Sequence, residues 1–330
     1  MKMNKISTFI FLCFLISNYL AQFDSTHYYL NSLQYKKSIN YLKKKLKNNA
    51  YIKYENGNTT AKDVDMINLA CIYSLNKNYK ECITTLNSFV KSKTKTDGTY
   101  IPNKWSSYAS SYGDYYIDPD FYRVSVSLPN EWKYLLINHK HKCEITDTSF
   151  KKLQIPDSVY IKLIQIGIND QAHYREISFY ENKYGTQSST ALKLWKEKDS
   201  LNKANLKTVM FYLDNGYNVL SDSIVGKFSN KCFLVIQHAD FKTQERILPI
   251  IKDLYDQKKT SGNNYALLFD RISVDKNNGT QFYGTQINPK TNKPYLIKDE
   301  ANLDKRRAEL GMETMAEYCK RFNIIYKPKK

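Results

Sequence analysis

From Pro156 onward, apolar residues recur every three to four positions in one stretch after another, at 157–179, 189–214, 226–238, 241–257, 263–273, 301–310 and 314–322. That period marks one face of an α-helix, whereas a half-buried strand would alternate. Apolar stripes of this kind can be buried only by packing helix on helix. A single interruption near 280–297, opened by an Asn-Asn-Gly turn, reads as a short β excursion. The expected fold class is therefore mainly α. With 330 residues the chain has room for two domains, each with its own core.

The amino-terminal part reads as helical hairpins over 25–48 and 62–92. In the second, Leu69, Ala70 and Tyr73 lie on one helix, and Tyr79, Cys82, Leu86 and Phe89 on the next, with Asn76-Lys77-Asn78 as the turn. These residues resemble a tetratricopeptide repeat. Tyr35, Ser38 and Leu42 repeat the second-helix pattern at more than a repeat's usual distance, which an insertion around 51–60 accounts for. Residues 22–95 are thus expected to be degenerate tetratricopeptide-like hairpins. The Tyr-rich segment 96–154, punctuated by Ser, Gly, Pro and Asp, reads as a linker or irregular region with a strand at 122–128. Residues 155–325 form the expected carboxy-terminal domain, and 326–330 a basic tail.

Residues 1–21 have the basic start, apolar run Ile6–Ile16 and small residue Ala21 of a cleaved signal peptide, so export to the periplasm or beyond is expected, with no transmembrane segment in the mature chain. Cys71, Cys82, Cys143, Cys232 and Cys319 show no CxxC spacing, which argues against a zinc site or a disulfide scaffold. The formal charge of +18 is nearly all lysine spread along the chain, so it reads as a solvated surface, and no nucleic-acid partner is expected. Arginine is rarer: of seven, six lie beyond residue 170, where a fork-shaped donor suits carboxylates or a bound anion.

Polar residues invade the apolar stripes at particular points. Asp170 completes the face of Val159, Leu163, Ile166, Tyr174 and Ile177, so a carboxylate sits where burial demands partners, with Gln171 and Arg175 flanking it. Gln244 falls on the apolar face of 241–257. His238 ends the buried run Cys232–Ile236. Asp240 is placed to cap the helix that follows, and Pro249 to kink or break it. Asp270 and Arg271 flank the face of Tyr265, Leu268, Phe269 and Ile272. Tyr283 and Gln286 bracket Gly284, where the backbone can turn sharply.

In order, Asp170-Gln171 with Arg175, Gly226, Gln237-His238-Ala239-Asp240 with Gln244, Asp270-Arg271, Tyr283-Gly284-Thr285-Gln286, and Arg306-Arg307 with Gly311 resemble an uncharacterised bacterial domain family of unknown function, over about 155–325. The resemblance implies that these positions belong together and implies no reaction. Two functions fit. One is a hydrolase with His238 as acid or base, Asp170 or Asp270 orienting it, and Arg271 or Arg306 stabilising negative charge. The other is a non-catalytic module in which Gln171, Arg175, Gln244, Arg271, Tyr283, Gln286 and Arg306 cradle an anionic ligand or form an internal network, the amino-terminal repeats taking a protein or peptide partner. No cofactor and no metal are expected, since there is no P-loop, GxGxxG or HExxH, and Asp170, His238, Asp240 and Asp270 lack ligand spacing.

Overall fold

The computed structural model describes residues 31–47, 61–92, 118–146 and 148–327. The segment read as a signal peptide, the insertion expected around 51–60 and residues 93–117 lie outside these. The described chain is mostly helical, with four two-residue strands near its end. Two compact units divide it: one comprises 220–222 and 236 onward, the other the described residues up to 219 together with 223–235. The division falls inside the segment read as one carboxy-terminal domain.

The second of these units begins with α1 (Tyr35–Lys47), α2 (Ala61–Leu75) and α3 (Tyr79–Ser92). Helices α1 and α3 both pack on α2. Leu69, Ala70, Tyr73, Cys82, Leu86 and Phe89 are all buried at these contacts. Full burial of a side chain such as Leu86 is worth about 2 kcal/mol.

Where the sequence suggested a strand at 122–128, the chain is helical. A 3-10 turn at Pro119–Phe121 leads into α4 (Tyr122–Ser127), α5 (Pro129–Thr146) and α6 (Thr148–Lys152). Pro119 and Pro129 each open an element, where a missing N–H loses nothing because first-turn donors have no intrahelical partner. Phe121 and Val124 are buried in the core of the unit.

The single helix expected over 157–179 is two, α7 (Asp157–Gln171) and α8 (Tyr174–Tyr184), because His173 adopts a left-handed φ of 70° between them. The end of α7 is capped by the fully buried Lys198 of α9 (Ser189–Asp214), whose ammonium donates to the carbonyls of Asn169 and Asp170 and to Asn202 Oδ1. A cation at the carbonyl end of a helix meets its unpaired acceptors and its dipole. Burial lowers that ammonium to about 8, against the pull of Asp170.

After the short α10 (Asp222–Val225) comes α11 (Phe228–Gln237), where Cys232, Phe233, Val235 and Ile236 of the run expected to be buried are so and Leu234 is half-buried. In the other unit, α12 (Phe241–Asp256) packs on α13 (Gly262–Lys276) through Ile247, Ile251, Leu254, Ala266 and Leu268. Helix α12 runs on through Pro249 without a break, and Asp240 caps its start by accepting from Thr243 N. Next come β1 (Thr280–Gln281), β2 (Ile287–Asn288), β3 (Lys293–Pro294) and β4 (Leu296–Ile297). Strands β1 and β4 pair in parallel, β2 and β3 antiparallel. Helices α14 (Leu303–Glu309) and α15 (Met315–Lys320) close the unit over Ile297, Leu303, Met315 and Cys319. All five cysteines named above are reduced and buried, and no described helix is long and apolar enough to cross a membrane.

Candidate functional site

Two polar assemblies form, one in each unit. In the unit that ends the chain, Asp270 of α13 is fully buried and its carboxylate gathers the main chain of the Tyr283-Gly284-Thr285 turn. Oδ1 accepts from Phe282 N (2.7 Å) and Tyr283 N (2.9 Å), and Oδ2 from Thr285 N (2.9 Å) and Thr285 Oγ1 (3.0 Å). Burial pushes the carboxyl up from its ordinary range, while the bonds from Thr285, Tyr283 and Phe282 pull against it. The carbonyls of the same turn point the other way, onto arginines. Arg306 donates to Phe282 O, Lys298 O and Asp299 O, and Arg307 to Tyr283 O and Glu313 O. Gln281 clasps Gln286 N and O, Gln286 reaches Leu267 O, and Tyr318 Oη donates to Thr285 O. Gly284 is obligatory, with φ at 72° and a Cβ position 2.7 Å from Met315 Sδ.

This frame presents aromatic side chains. Tyr255, Tyr265, Phe269, Phe282 and Tyr283 touch ring to ring, with centroids 5.1–6.1 Å apart, and each remains half-buried. Tyr255 donates its hydroxyl to Glu309 O, and Tyr265 and Tyr283 bond each other. Arg306 stacks 4.2 Å above the Phe282 ring, and Lys252 lies 5.8 Å from the Tyr265 centroid.

The second assembly joins the first helices of the chain to α8. Arg175 donates to Asp120 Oδ2 at 3.0 Å and to Asn31 Oδ1 at 3.2 Å. Arg123 bonds Glu176 and donates to the carbonyl of Leu75 at the end of α2. His173 faces Glu176 at 3.6 Å and Glu197 at 3.5 Å. Asp118 Oδ1 accepts from Asp120 N at 2.9 Å, and the Cys71 thiol bonds its carboxyl. Burial, then the neighbouring Asp120, pushes the Asp118 carboxyl up to about 7. Asp120 is raised by burial against the pull of Arg175. Burial also raises the Tyr35 hydroxyl and the Cys71 thiol. For Glu176 burial acts upward, but His173 and Arg123 outweigh it and hold the carboxyl low.

The residues expected from sequence divide between these places. Asp270, Tyr283, Gln286 and Arg306 come together in the frame. Gln244 and Arg271 both donate to Gln237 O, sealing the end of α11, and His238 sits half-buried in the turn beyond it. Asp170 is buried on its stripe and accepts from Gln171 Nε2, but Arg175 turns to Asp120 instead. Asp170, Gln171 and Arg175 belong to one unit, and His238, Asp270 and Arg306 to the other. Asp118, Asp120, Cys71, Arg123, Glu176 and Lys198 were not anticipated. The Asp-Pro-Asp triplet at 118–120, a capping residue before a first-turn proline, was the one local signal for part of them.

Cys71, Asp118 and Asp120 bring a sulfur and two oxygens within 4.8 Å of one another. The guanidinium of Arg175 supplies positive charge to Asp120 there.

Neither a curated protein nor a solved structure matches the chain. A family described as being of unknown function, DUF6624, matches residues 150–329, which takes in Arg175 and the whole Asp270 frame but leaves out Asp118, Asp120 and Cys71. With more than half of its length matched, the chain belongs to this family of unknown function.

Proposed function

We propose that the protein is an exported, non-catalytic binding protein whose recognition surface is the aromatic face carried by the Phe282–Gln286 turn. The observation that carries this reading is where the polar side chains go. Asp270, Gln281 and Arg307 direct their hydrogen bonds mainly to main-chain atoms of the turn and its surroundings, the side-chain partners being Thr285 Oγ1 on Asp270 and Asp299 on Arg306. Such a set builds a rigid turn. An anion cradle would need free guanidinium edges, and those of Arg306 are on carbonyls. A hydrolytic role for His238 is less well supported, since of the two carboxylates expected to orient it Asp170 accepts from Gln171 and Asp270 has both oxygens engaged by the turn.

The turn offers ring surface, with the Tyr255 hydroxyl on Glu309 O and the Tyr283 hydroxyl on Tyr265, which suits a ligand that stacks on the rings. Sugar rings have flat C–H faces of that kind, and an exported protein meets them in envelope glycans. Calorimetric titration with soluble envelope oligosaccharides tests this. Binding is expected for the wild type, and Tyr265→Ala should weaken it at least tenfold without lowering the melting temperature. Oligosaccharide turnover, or equal binding by the variant, would sink the proposal.

A further inference from the structure

We propose that Asp118 and Asp120 form a proton-held latch fastening helices α1 and α2 to α8, which loosens when the proton is lost. The argument begins with charge. Three buried or half-buried carboxyls, Asp118, Asp120 and Glu176, stand among two guanidiniums, and each guanidinium is already committed: Arg175 to Asp120, Arg123 to Glu176. The other ionisable groups facing the cluster are Tyr35 from α1, Cys71 from α2, His173 before α8 and Glu197 from α9. Tyr35 and Cys71 are held neutral by burial, and His173 is placed between Glu176 and Glu197 rather than beside Asp118. Asp118 is therefore the acid with no ion pair of its own among the described residues, sharing with Asp120 the field of Arg175. A proton lets Asp118 and Asp120 lie side by side, whereas two ionised carboxylates a few ångström apart repel.

Geometry makes the pair a fastening. Asp118 and Asp120 flank Pro119 in the turn before α4, against Cys71 of α2. Through Asp120 the turn holds Arg175 of α8, and Arg175 reaches Asn31 ahead of α1. Val124 N donates to Ser74 Oγ, and Arg123 ties the end of α2 to Glu176. Arg175 lies within the family-matched segment while Asp118, Asp120, Cys71 and Asn31 precede it, so the latch joins the family's part of the chain to what comes before.

The sign follows from linkage. A carboxyl whose value rises from 3.8 in the open chain to about 7 in the closed state lends stability that is complete below 4 and lost as pH climbs through 7. Opening should become easier by roughly tenfold per pH unit across that window, and level off above it.

Amide hydrogen exchange on the full mature protein between pH 5 and 8, corrected for the intrinsic pH dependence of exchange, tests the latch. Amides of α1, α2 and α4 should lose protection by about tenfold per unit up to pH 7, while those of α12 and α13 should not. Asp118→Asn, which keeps the shape and removes the titration, should abolish the slope. Carboxyl carbon NMR on the wild type gives an answer that needs no variant: Asp118 should titrate near 7. Titration near 3.8, or a slope that survives in Asp118→Asn, overturns the latch.

Discussion

The two polar assemblies solve the same problem, burying charge, in opposite ways. In the Asp270 frame, side chains bond main-chain atoms 12 to 24 positions away, so a carboxylate and two guanidiniums shape one turn. In the Arg175 cluster, side chains bond side chains 53 and 55 positions apart, and the count of charges comes out even only with a proton added. N–H groups and guanidiniums keep their donors at any physiological pH, which suits a fixed support. A cluster that depends on a titrating acid is stable only conditionally. Rigid presentation and conditional attachment thus reside in different units.

Three substitutions can break or sharpen this contrast. The largest loss is expected for Asp270→Asn, which turns an amide toward the N–H groups of Phe282, Tyr283 and Thr285 and should cost about 3 to 5 kcal/mol in urea unfolding. Because burial raises the Asp270 carboxyl, the loss should not grow from pH 5 to pH 8. If it is under about 1 kcal/mol, the frame is not what holds the turn. Gly284→Ala comes next, at about 1 to 3 kcal/mol, because a methyl group must displace Met315 Sδ and adopt a left-handed φ. It should also weaken oligosaccharide binding, since Tyr283 moves with the turn. Arg175→Gln is expected to be mildest at pH 5, about 1 kcal/mol after allowing for its partly exposed guanidinium, and to grow toward pH 8, where both carboxylates would face each other with no cation. A loss independent of pH would erase the distinction between the two assemblies.

Much of the helical framework was legible because its signals are local. The helix over 189–214 has the bounds that its stripe implied, Asp240 caps α12 as its position before an apolar run suggested, and Asp170 is buried where the 3.6-residue period put it. The β excursion stands where the Asn-Asn-Gly turn and Gly284 indicated. The failures have a physical cause too. A strand was expected at 122–128 within a Tyr-rich segment read as irregular, but first-turn prolines at 119 and 129 and packing of Phe121 and Val124 into the core go with helix instead. The continuous helix over 157–179 breaks where His173 takes a φ of 70°, and Lys198, two helices on, caps the carbonyls freed there.

The sequence by itself determined the apolar faces of most carboxy-terminal helices, the cap at Asp240 and the turn before the β excursion, and it singled out Arg175, Asp270, Gln286 and Arg306 as candidate site residues. Tertiary structure alone decided their partners. Helical periodicity is set within a turn of backbone and repeats along one element, so it can be read without knowing what the element touches. An ion pair is set by where two distant helices meet, and nothing in the neighbourhood of Arg175 specifies an aspartate 55 residues earlier.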